Sequence, residues 1–172
     1  MPSLEKEVFG QMADGSPILR YTLRNGQGMA VRLIEYGAIL SEWRVPEKAG
    51  GSTNIVCGFD NLQQYLNGHP FFGATTGRCA NRIAKGRFTL DGIEYQLPIN
   101  NGPNHLHGGP KGFDKRVWKS EAQGDDAVKF SYLSADGEEG YPGNLSVSVV
   151  YRLGADNALT IDYTAATDKP TI

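Results

Sequence analysis

Gly86-Arg87-Phe88-Thr89-Leu90-Asp91-Gly92-Ile93-Glu94-Tyr95-Gln96-Leu97 reads as a single β-hairpin. Phe88 and Leu90 alternate with Arg87 and Thr89, while Ile93, Tyr95 and Leu97 alternate with Glu94 and Gln96. Asp91-Gly92 between the two runs is a two-residue turn that tolerates the positive φ a tight hairpin needs. Across that turn Leu90 is expected to oppose Ile93 and Phe88 to oppose Tyr95. All five apolar side chains then share one face, so turn and pattern agree.

The same period of two runs outward from the hairpin. Leu145, Val147, Val149, Tyr151 and Leu153 alternate with polar residues, as do Leu159, Ile161 and Tyr163. Val128, Phe130 and Tyr132 form another strand. Upstream, Ile18–Leu23 and Met29–Ile34 flank the hairpin loop Asn25-Gly26-Gln27-Gly28, and Ile39–Val45 is a strand that Pro46 should stop. Asn61–Leu66 alone looks helical, with Asp60 as its expected cap. Short strands joined by Gly, Pro, Asn and Asp turns define an all-β fold, a large antiparallel β-sandwich. Residues 1–172 show no linker, repeat or low-complexity segment, so one domain is expected. The strand at Leu159–Ala165 comes near the end of the sequence with nothing to cover its edge. An incomplete sandwich is therefore a live reading of the pattern.

Composition narrows the partners. The chain has 172 residues, 40% hydrophobic and 21% charged, which is ordinary for a globular domain with a real core. A net charge of −2 argues against nucleic acid or an anionic membrane as the main partner. The apolar runs are too short to span a bilayer, and the N-terminal MPSLEKEVFG lacks the basic and apolar regions of a secretory signal. A cytoplasmic location is the expectation. Cys57 and Cys79 are then expected to be reduced, small buried apolar residues rather than a disulfide or a reactive thiol. On the same ground, the glycosylation tripeptide Asn144-Leu145-Ser146 is expected to carry no sugar.

The hairpin lies inside a glycine-rich stretch, Gly77–Asp114, that holds Arg78, Asn81, Arg82, Asn104, His105 and His107. Directional donors and acceptors of this kind suit a small polar ligand such as a sugar. Each has a plainer alternative. Arg78 and Arg82 could be salt-bridge partners or packing stems, and Asn81 could be a turn residue. His105 and His107, two apart, would share a face on a strand, but zinc takes three or four protein ligands and only His69 and scattered carboxylates remain. His107 before Gly108-Gly109 reads equally as a substrate-binding or proton-transferring imidazole and as a surface-loop histidine. The adjacent Glu138 and Glu139 fit a solvated turn better than an acid/base pair. No phosphate loop, dinucleotide fingerprint or Gly-x-Ser-x-Gly elbow is present.

At these residues the chain resembles the aldose 1-epimerases, or galactose mutarotases. The matching motifs are GRCANRI at Gly77–Ile83, GRFTLDG at Gly86–Gly92, NHLHGGPKGFDKRVW at Asn104–Trp118 and SADGEEGYPGNL at Ser134–Leu145, with Glu35–Ala38 and Gly58–Asp60 before them. The resemblance runs from about Phe9 to the last residue. It implies an antiparallel sandwich with an open sugar-binding face, and an isomerase that interconverts α and β hexoses such as galactose and glucose. In such enzymes a base takes the C1 hydroxyl proton while an acid protonates the ring oxygen. No metal or organic cofactor is implied.

Carried over by motif, Asn81, Arg82 and His107 are the expected substrate-binding residues; Arg78, His105 and the Glu138-Glu139 loop support the cleft. The family's acid histidine, base glutamate and a sugar-binding aspartate match no residue here. The sequence resembles the first half of a protein about twice as long, so this span is expected to hold no catalytic residue. The missing C-terminal half is then an expected partner. A non-catalytic carbohydrate-binding module and a hexose-6-phosphate 1-epimerase are the alternatives, the second needing Arg78 or Arg87 to meet a phosphate.

Overall fold

The computed structural model describes residues 1–172. Strands β1 (Ser3–Gln11), β2 (Pro17–Arg24), β3 (Ala30–Ile34), β4 (Ile39–Pro46) and β5 (Ser52–Asn54) form an antiparallel meander in chain order. A short helix, α1 (Leu62–Leu66), follows. Two small ladders come next: β6 (Arg82–Ile83) with β9 (His105–Leu106), enclosing the hairpin of β7 (Arg87–Leu90) and β8 (Ile93–Gln96). Strands β10 (Lys119–Ala122), β11 (Ala127–Ser134), β12 (Leu145–Leu153) and β13 (Leu159–Thr167) make the second sheet, again antiparallel and in chain order.

Alternation makes the sandwich. Tyr21, Leu23, Val31, Leu33 and Leu40 of the first sheet share one core with Val128, Phe130, Val149, Tyr151 and Leu153 of the second, joined by Phe113 and Trp118. Burying each such side chain contributes roughly 1.5–3 kcal/mol. Two of the polar side chains that enter this core, Tyr151 and Glu35, are paired. Tyr151 Oη donates to Ala38 O at 2.8 Å, and Glu35 accepts from Leu19 N at 2.8 Å and Ser120 Oγ at 2.5 Å. A second cluster of Ile18, Ile34, Tyr36 and Ile39 receives Leu62 and Tyr65 from α1.

The hairpin register is the one its pattern demands: Phe88 pairs with Tyr95 and Leu90 with Ile93. Phe88 and Tyr95 stack at 5.1 Å between ring centroids. The hairpin stands apart from both large sheets, so Leu97 is buried while Ile93 is 57% exposed.

Three readings need correction. The cap of α1 is Asn61, whose Oδ1 accepts from Gln64 N at 3.1 Å; Asp60 instead donates its backbone N–H to Gln64 Oε1. Strand β4 continues through Pro46, which pairs with Ser52 at the short β5 edge. Cys57 is exposed and Cys79 half-buried, both as free thiols. Strand β1 had no counterpart in the sequence reading. At the other end, β13 is paired on one side only, with Ile161 and Tyr163 exposed. No helix is long and apolar enough to cross a membrane.

Candidate functional site

The β6–β9 ladder builds the site. Arg82 pairs with Leu106 and Ile83 with His105, so Asn81 and His107 meet where the ladder ends. Both turn into the left-handed region, with φ of 59° and 50°. His107 N donates to Asn81 O at 3.0 Å, and Asn81 N donates back to the His107 ring at Nδ1, also 3.0 Å. A neutral imidazole that accepts at Nδ1 carries its proton on Nε2. His107 is thereby set as a donor through Nε2.

Arg82 completes the group. Its Nε donates to Asn101 Oδ1 at 2.9 Å and its Nη1 to Asn81 Oδ1 at 3.1 Å. Both partners are neutral amides, so no carboxylate offsets the guanidinium and part of its donor fork stays free. With Asn81 Oδ1 engaged, the Asn81 amide N–H groups have no protein partner. The three residues expected to bind substrate therefore present an array of donors suited to hydroxyl oxygens. None of the molecule's three clefts is lined by them; the largest, about 590 Å³, lies on the outer face of the second sheet between Val117 and Ala166.

The neighbouring polar residues are structural. Arg78 donates to Ser134 Oγ and to the carbonyls of Ser134, Ala135, Pro142 and Gly143, and to Thr171 Oγ1, all between 2.8 and 3.1 Å. Its burial pulls its pKa below the ordinary arginine value. His105 is fully buried, with Nδ1 2.7 Å from Pro98 O and Nε2 2.7 Å from Tyr141 Oη. A carbonyl only accepts, so Nδ1 holds the proton and the Tyr141 hydroxyl donates to Nε2. Burial pushes the Tyr141 phenol well up, which keeps that donor protonated. His105 thus points into the core and His107 out of it, and the two do not share a face. Glu138 is held by Arg116 and by Tyr132 Oη at 2.5 Å, and Glu139 accepts from Lys111 N at 3.0 Å. The two carboxylates diverge and brace the loops.

Gly108 also has a different purpose from the one its motif suggests. A Cβ there would lie 1.5 Å from Gly77 O, so the glycine admits a neighbouring backbone rather than a ligand. Other residues escaped sequence reasoning. Asn100 fixes Leu106 through both backbone groups, at 2.7 Å and 3.0 Å, and Asn101 orients Arg82. The asparagine-rich turn INNGPN was the available signal. Phe71, whose ring centroid is 4.6 Å from that of His107, carried no such signal.

The aldose 1-epimerase family model matches residues 19–172. Galactose mutarotase of Sus scrofa is 44% identical over 172 residues, which is 99% of this chain and 49% of that protein. Aldose 1-epimerase of Escherichia coli (strain K12) is 45% identical over 157 residues, 91% of this chain and 45% of that protein. The crystal structure of galactose 1-epimerase from Lactobacillus acidophilus NCFM matches with a TM-score of 0.86 at 31% identity, covering 100% of this chain and 51% of that one. The chain spans about half the length of the curated relatives it matches. Its sheets, its motifs and these matches lead to one conclusion: the chain belongs to the aldose 1-epimerase family.

Proposed function

We propose that residues 1–172 form the sugar-holding wall of an aldose 1-epimerase acting on hexoses such as galactose and glucose. The observation that supports this most is the reciprocal Asn81–His107 pairing beside an Arg82 bound only by amides. These donors match the hydroxyl and ring oxygens of a pyranose. Ring opening needs a base at the C1 hydroxyl and an acid at the ring oxygen. His107 Nδ1 is occupied by a backbone donor, and Glu138 and Glu139 are engaged elsewhere, so we assign holding rather than proton transfer to this wall.

The remaining groups would come from chain of the length the relatives have, docking along the open edge of β13. A 6-phosphate substrate is less well supported, because Arg78 is spent on carbonyls and Arg87 is tied to Gln96 and Glu94. The free thiols fit a reducing compartment such as the cytoplasm. Polarimetry tests the assignment. This chain should leave the mutarotation of α-galactose at the buffer rate. A rate well above buffer that vanishes in His107→Ala would overturn it.

A further inference from the structure

We propose that Phe71 is a positioning residue for His107, fixing the plane of the imidazole whose tautomer Asn81 sets. The inference rests on the reading of His107 as a sugar contact. A hydrogen bond at Nδ1 fixes one point of the ring but leaves it free to swing about that point. The Phe71 ring, tilted 56° to the imidazole at 4.6 Å, supplies the second constraint.

Phe71 is itself held firmly. Its φ is 63°, a left-handed conformation that is unusual for a bulky residue and persists only where the surroundings impose it. Here they do. Phe71 N donates to Nδ1 of the buried His69 side chain at 3.2 Å, and Ala74 N donates to Phe71 O at 3.2 Å. Lys115 Nζ sits over the Phe71 ring at 5.0 Å, anchored 2.6 Å from the buried Asp114 carboxylate. A glycine would adopt this backbone without strain. The strained aromatic does what a glycine cannot: it presents a ring to His107, with Lys115 and His69 packed against the same ring.

Histidine-selective 15N NMR of the chain tests the proposal. In the wild type, nuclear Overhauser contacts should link the Phe71 and His107 rings, and the His107 nitrogens should show the Nε2–H tautomer. Phe71→Leu should move both His107 nitrogens toward tautomer-averaged shifts while leaving the buried His105 signals in place. It should also weaken galactose binding about 3- to 10-fold, as loss of an aromatic pair does. Phe71→Tyr should keep the wild-type signature. Absence of the ring–ring contacts in the wild type overturns the proposal without any variant. So do unmoved His107 nitrogens in Phe71→Leu, or a Phe71→Tyr variant as impaired as Phe71→Leu. If His107→Ala binds galactose as the wild type does, the sugar-contact reading fails, and with it the functional meaning of Phe71.

Discussion

Two histidines two residues apart have opposite environments, and the difference comes from one turn of the backbone. His105 lies on β9 and its ring bridges Pro98 O and Tyr141 Oη in the core. His107 lies past the strand end, at positive φ, and meets Asn81. His105→Phe places a somewhat larger apolar ring in the same site and leaves the carbonyl and the hydroxyl unpaired. Each buried group left so costs about 1–3 kcal/mol, so denaturant unfolding should show a loss of roughly 2–6 kcal/mol. A loss below about 0.5 kcal/mol would contradict a structural role. Asn81, Arg82 and His107 came out of the sequence as candidates through family motifs, and the structure brings the three together. The role of Gly108 was not legible, since the obstacle it avoids is Gly77 O, 31 positions away in sequence. Phe71 escaped for the same reason: φ and a partner across the fold leave no local mark.

Elements were legible in proportion to the contrast between their two faces. β12 buries Val149, Tyr151 and Leu153 and exposes Ser146 and Arg152, so its alternation announces it. β1 has little such contrast: Ser3–Gln11 is an outer strand with a register shift between Val8 and Gly10, and its middle residues are exposed. The α1 cap was misplaced by one residue because Asp60 and Asn61 are both good caps, and only geometry separates them. Asn61→Ala should cost about 1 kcal/mol, since it orphans the Gln64 N–H, whereas Asp60→Ala should be nearly neutral. Thermal unfolding of both variants checks this. A larger loss for Asp60→Ala would reverse the assignment.

For the molecule as a whole, the sandwich core, the second cluster and the site loops are joined near His69. This side chain is 1% exposed, 3.7 Å from Asp114, and edge-on to Tyr36 and Tyr65. Burial pulls its pKa below the ordinary histidine value, with Asp114 opposing the shift and Lys115 adding to it. The unfolded chain binds a proton at this histidine near pH 6.5, while the folded chain resists it. Stability present above about pH 6.5 is therefore lost as pH falls below it, toward the lower folded value. His69→Phe should flatten the fall in unfolding free energy between about pH 7 and pH 5. An unchanged slope would show that His69 does not set it.

The chain's sugar-holding wall is the claim on which the rest depends. The most direct measurement is a backbone NMR titration with galactose. Shift changes should concentrate at Asn81, Arg82 and His107 and diminish in Arg82→Ala. Changes confined to other surfaces, or no response at these three residues, would contradict it.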